Sequence, residues 1–205
     1  MHSKKLTLIL LLSFILMTTS CQNKDNKDSS NPENTESIMF TPKPTNSPLP
    51  TAEVSITENS DGTSQLDNTT AGYNVSYDSK LLEMSNTDST ISFAPSAEKV
   101  KKELNLFLTI TETTPDAANE LGKHLKKSYK GSIEKEETTL GTSKTSATCY
   151  SITDSKNVTH EVYIISSKEK GWYIELKCPS KYEKKYLTAF EDILGSMDFS
   201  ATITE

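Results

Sequence analysis

The chain contains no arginine, so all 22 of its basic residues are lysines. The planar guanidinium fork that holds a carboxylate or phosphate by two parallel hydrogen bonds is unavailable, and recognition built on that geometry is excluded. Glycine is scarce at seven residues in 205, and no two of them fall within a P-loop or dinucleotide fingerprint. Three histidines and three cysteines form no HExxH, CxxC or paired His-Cys spacing, so no ligand set for a metal or other cofactor is visible. Apolar residues are also few: the hydrophobic fraction is 34%, under the roughly 45–50% of globular chains. A long polar segment must be diluting an ordinary core. The formal charge of −6, made more negative if Lys4 and Lys5 are removed with a leader, argues against nucleic acid as a partner.

One strongly apolar run is present. Met1 to Lys5 is short and basic, Leu6 to Met17 is apolar, and Thr18, Thr19 and Ser20 are small, the three-part layout of a secretory signal peptide over residues 1–20. As a helix, Leu6 to Ser20 would reach only about 22 Å, short of the roughly 30 Å of hydrocarbon in a bilayer. Cys21 stands directly behind the run, an arrangement that resembles the lipobox of bacterial lipoproteins, with Ser20 in place and Thr18 where that pattern has leucine. The resemblance implies a diacylglycerol on the Cys21 thiol, an acylated first residue and anchorage to the outer face of the cell membrane. Cleavage by ordinary signal peptidase, at an A-x-A-like site made by Thr18 and Ser20, is the alternative.

From Gln22 to Thr70 the composition is Asn, Ser, Thr, Pro, Asp and Lys without a sustained period, so residues 21–70 read as a disordered tether. Four prolines between Pro42 and Pro50 favour extended chain. Such a coil of about 48 residues spans on the order of 40 Å. This reading makes Gln22 to Thr70 dispensable for folding.

Alternating apolar residues begin near Ala71. Strands are expected at Tyr73 to Tyr77, Ser89 to Pro95 and Leu104 to Thr111, the last with Leu104, Leu106, Leu108 and Ile110 on one face. A helix follows, capped by Thr114, opened by Pro115 and stopped by Gly131, with Ala117, Leu121, Leu125 and Tyr129 as its apolar stripe. Further strands are expected at Ser132 to Thr138 and, as a meander, at Thr145 to Thr153, Glu161 to Ser167 and Gly171 to Cys178. Ser180 and Glu183 have capping-box spacing before a last helix that buries Tyr186, Phe190, Ile193, Leu194 and Met197. Residues 71–199 therefore read as an α+β domain, an antiparallel sheet flanked by amphipathic helices, with 200–205 as a tail. The opening GYNVSYD, the order of strands and helices, the strand GWYIELKCP and the closing ILGSMDF resemble the PsbP-like domain from Ala71 to Phe199. That family includes photosystem accessory proteins, a eukaryotic Ran-binding relative and bacterial surface lipoproteins. The resemblance implies the antiparallel sheet with flanking helices and carries no catalytic residue set.

Candidate chemistry is thin. His2 would leave with the leader, His124 sits among lysines, and His160 opens a strand. Ser96 and Lys99 match S-x-x-K without its partner motifs. Glu134, Glu136 and Glu137 could hold calcium but suit a solvated edge strand better. The lysines from Lys123 to Lys130 and from Lys181 to Lys185 could face an anionic lipid or wall polymer. Tyr73, Tyr77, Tyr150, Tyr163, Trp172 and Tyr173 lie in expected strands and could line a groove. Trp172, Ile174, Leu176 and Cys178 share a face, with Tyr173, Glu175 and Lys177 opposite. In a consecutive meander Cys149 and Cys178 lie on next-but-one strands nearly 10 Å apart, too far to bridge. The function expected is thus a lipid-anchored, non-catalytic binding or scaffolding protein of the cell envelope, its partner an unidentified envelope protein or polymer. An envelope enzyme whose site has no sequence motif is the alternative.

Overall fold

The structure is a computed structural model that describes residues 53–129, 131–153 and 158–199, apart from the side chains of Lys126 and Ser128. The leader, Cys21, the tether as far as residue 52 and the tail 200–205 lie outside the described residues.

Folding begins well before Ala71. Strands β1 (Val54–Glu58), β2 (Thr63–Asn68) and β3 (Tyr73–Asp78) form an antiparallel sheet in the order β1-β2-β3. The expected tether and its boundary at Thr70 are therefore corrected: residues 53–70 belong to the fold. Strand β2 is polar in composition but alternates in burial, with Ser64, Leu66 and Asn68 turned inward. One apolar residue in six was too little to register as a period of two, although it suffices when a neighbouring sheet covers it. The β1–β2 turn is closed by Asp61, whose carboxylate accepts from the Thr63 amide (2.9 Å) and hydroxyl (2.7 Å).

The larger sheet contains β4 (Leu82–Thr87), β5 (Thr90–Pro95), β6 (Phe107–Thr113), β7 (Ser132–Leu140), β8 (Thr145–Thr153), β9 (Val158–Ser166) and β10 (Gly171–Pro179). Its order is β4-β5-β6-β10-β9-β8-β7, and every pairing is antiparallel. The expected β8-β9-β10 meander is present, while β4, with one fully buried residue in six, was not anticipated. Leu104 is corrected: it lies in the turn before β6 and is 85% exposed, whereas Leu106, Leu108 and Ile110 are buried.

Helix α1 (Pro115–Ser128) starts as expected, with the Thr114 hydroxyl accepting from the Ala117 amide and Pro115 in the first turn. It ends at Tyr129 in extended conformation instead of at Gly131, and Ala118 replaces Ala117 in the buried stripe with Leu121 and Leu125. The closing segment is graded, not a single capped helix: a 3-10 turn (Ser180–Tyr182), a π-helical turn (Glu183–Leu187) and then α2 (Thr188–Ser196). Glu183 accepts from the Thr159 hydroxyl (2.9 Å), which takes its carboxylate toward β9.

These elements cover the larger sheet on both faces. One face carries Phe93, Leu108, Trp172, Ile174 and Leu176 against the small sheet and α2, where Phe190 and Ile193 are fully buried. Burying each such side chain contributes about 1.5–3 kcal/mol. The other face holds Tyr150, Ile152, Val162 and Ile164 under α1. Gly141, in the β7–β8 turn at φ 68°, stands so close to the Met197 carbonyl that a Cβ would collide with it, and Thr142 donates its amide to the same carbonyl (2.8 Å).

Candidate functional site

The polar side of β10 is not solvated. Tyr173, Glu175 and Lys177 alternate away from the main core, as the sequence places them, but α1 and its end at Tyr129 roof that face. Glu175 Oε1 lies 3.0 Å from His160 Nε2 and 3.0 Å from Lys177 Nζ. His160 and Lys177 are buried at 5% and 8% exposure. The Tyr129 ring meets the imidazole edge-on at 5.5 Å, and Lys177 Nζ sits 5.6 Å above the Phe107 ring. Burial alone would raise the Glu175 carboxyl, but the His160 bond and the Lys177 charge outweigh it and hold the group below its ordinary range. An ionised carboxylate can only accept, so His160 Nε2 is the donor. The Glu175 carboxylate thus lies between the imidazole and the Lys177 ammonium beneath α1, and the imidazole also borders a cavity of about 270 Å³ lined by Thr159, Glu161, Ser180 and Glu183. Alternation had set Glu175 and Lys177 on one face; that this face would be roofed follows only from α1 having an apolar stripe to bury.

A second opening lies at the other end of β8 and β9. There the cavity is about 430 Å³, lined by Ser143 to Ser146, Ile165 to Ser167 and Phe199.

The remaining candidates are not brought together. Ser96 donates its hydroxyl to the carbonyls of Lys80 (3.0 Å) and Leu81 (3.1 Å), a structural role that leaves the match with Lys99 without a catalytic pairing. Glu134, Glu136 and Glu137 lie exposed on the edge strand β7. Lys135 beside Glu137, with the Thr148 hydroxyl, holds the Glu137 carboxyl below its usual range. Among the described residues no cluster of three His, Cys, Asp or Glu is placed to hold a metal ion. His124 and Lys127 are exposed on α1; Lys123 pairs with Glu120, and Lys181 pairs with Glu103 at 2.8 Å. Tyr73, Tyr77, Tyr150 and Trp172 are buried packing residues, and Tyr163 donates its hydroxyl to Glu161 at 2.6 Å. Burial, then the Glu161 contact, pushes the Tyr163 phenol upward. Cys149 and Cys178 are free and buried, as the meander order requires. Burial, followed by the charge of Glu183, raises the Cys178 thiol to about 11, which leaves it inert as a nucleophile.

No family model and no curated protein matches the chain. Among solved structures, it is similar to the solution structure of cyanobacterial PsbP (CyanoP) from Synechocystis sp. PCC 6803, at 11% identity and a TM-score of 0.43. That likeness covers 67% of this chain and 92% of that chain. A crystal structure from Bacteroides thetaiotaomicron VPI-5482 is similar at 10% identity and a TM-score of 0.32, over 62% of this chain and 44% of that one. Both likenesses are loose, and the fold described above rests on its own ladders.

The two openings at the ends of β8 and β9 offer polar groups to a partner. The buried network instead spends its donors and acceptors internally.

Proposed function

We propose that the chain is an exported protein, anchored by a lipid on Cys21, whose β-rich domain binds or scaffolds a component of the cell envelope without catalysing a reaction. The observation that carries this reading is the basic start, the apolar run Leu6 to Met17 and the small residues immediately before Cys21. Two acyl chains give stable anchorage where one is marginal. With the fold starting at β1, 31 residues of sequence separate Cys21 from the first described backbone at Glu53. A binding role is supported by the chemistry of the domain: the Ser96 hydroxyl is bonded to carbonyls, His160 is bonded to Glu175, and the buried thiols are pushed upward.

The test is Cys21→Ser expressed in a bacterial host. Wild type is expected in the membrane fraction with the mass of a diacylglycerol on the processed chain, and the variant unprocessed and without that mass. Equal processing and membrane partitioning of both chains would refute the anchor.

A further inference from the structure

Between β8 and β9 the larger sheet loses two rungs. The β7–β8 ladder runs through all nine residues to Leu140–Thr145, and the β9–β10 ladder runs all the way to Ser166–Gly171. Between them the β8–β9 ladder stops at Thr148–Ile164. The next rungs in that register, Ala147–Ile165 and Ser146–Ser166, are absent, and the cavity of about 430 Å³ opens where they would be. Two strands that are each fully paired on their outer side thus part company on their inner side. Backbone donors and acceptors on the diverging segments have no strand opposite them.

The lining of this cleft has one sign. Ser143, Thr145, Ser146, Ser166 and Ser167 bring hydroxyls, Lys144 brings an ammonium, and no carboxylate is among the lining residues. This stands out in a chain of net charge −6. Some hydroxyls are committed: Ser143 bonds Thr145 (2.9 Å) and accepts from the Phe199 amide (3.2 Å), while Ser167 donates to the Lys170 carbonyl (2.9 Å). Those bonds fix the rim, and Ser146 and Ser166, at the missing rung, are exposed. Behind the floor, Trp172 packs 5.1 Å from Phe199 and opposes Ile165 across the ladder, and its buried Nε1 has no partner among the described residues.

We propose that the cleft between β8 and β9 is a binding site for a phosphate-class oxyanion, held by the Lys144 ammonium and the hydroxyls of Ser146 and Ser166. Hydroxyls and amides donate to an oxyanion, and a lysine binds phosphate as a point charge, the mode open to a chain that lacks arginine. This deepens the reading of the domain as a binding module by naming its ligand class, and it does not depend on the lipid.

The test is titration of inorganic phosphate into the full chain in a non-ionic detergent, read by calorimetry at constant ionic strength with chloride as the control. Saturable binding is expected, weakened about tenfold in Lys144→Gln, largely retained in Lys144→Arg and weakened a few-fold in Ser146→Ala and Ser166→Ala. The serine variants are exposed substitutions and should melt with the wild type. Competition by glycerol phosphate would identify a soluble ester as the source of the group, and competition by phosphatidylglycerol vesicles a lipid headgroup. Absence of saturation, or equal binding by wild type and Lys144→Gln, would overturn the proposal. Cys21→Ser should bind phosphate like wild type, so failure of the anchor and failure of the anion site are read separately.

Discussion

At the scale of the residue, Glu175 is the group on which the roofed polar face depends. Removing one partner of a buried pair leaves the other charge uncompensated, so Glu175→Gln should cost about 3–5 kcal/mol at neutral pH because Lys177 stays buried. The pH dependence has a definite sign. The folded carboxyl lies below its ordinary 4.5, so its contribution is complete above that value and is lost as the pH falls through the folded one. Urea unfolding of wild type and variant should therefore differ most near neutrality and converge below about pH 4.5. Parallel pH profiles would show that Glu175 is not held by His160 and Lys177. Residue-level reading of the sequence located the pieces here but not their burial. Tyr173, Glu175 and Lys177 alternate opposite Trp172, which makes a solvated face the simplest inference, and only the docking of α1 turns it into an interior.

At the scale of the element, β8, β10 and the start of α1 were legible because their own residues carry the signal: an apolar alternation, which in β8 changes phase at Cys149–Tyr150, or a threonine cap followed by proline. β1, β2 and β4 were not, since each places at most one fully buried large side chain inward and relies on a neighbour to supply the rest. Helix stability shows the same division between local preference and packing. Gly195 in α2 has open space where a Cβ would stand, so Gly195→Ala should stabilise by about 0.5–1 kcal/mol through the unfolded chain and helix propensity. Gly122 in α1 faces the sheet, and a Cβ there would lie 2.6 Å from the Tyr150 hydroxyl and 3.2 Å from Ile164 Cδ1. The same propensity gain of about 1 kcal/mol then meets an overpacking cost of about 1–3 kcal/mol, and Gly122→Ala should be neutral to destabilising. Thermal unfolding of the two variants side by side checks this, and a midpoint raised equally by both would mean that α1 does not rest on Tyr150.

At the scale of the whole molecule, the three-stranded sheet is a lid on the main core and not part of a tether. A chain beginning at Thr70 lacks β1 and β2, leaves β3 without its ladder and exposes the face that Leu66 covers. It should lose the cooperative urea transition that the full domain shows, and a sharp two-state transition in the shortened chain would return the boundary to Ala71. The opposite end is tied in as firmly. Asn74 and Asp198 exchange both backbone bonds at 3.0 Å, and the Ser196 hydroxyl bonds Ser76 across 120 residues of sequence. Closing a loop of that length costs on the order of 4 kcal/mol in chain entropy before any contact repays it. During synthesis, then, the early strands wait with Val75 and Leu66 uncovered until Phe190 and Phe199 have been made. Completion of the core therefore waits for α2 and the segment that carries Phe199, and a chain halted before residue 190 leaves Leu66 and Val75 without the partners that cover them.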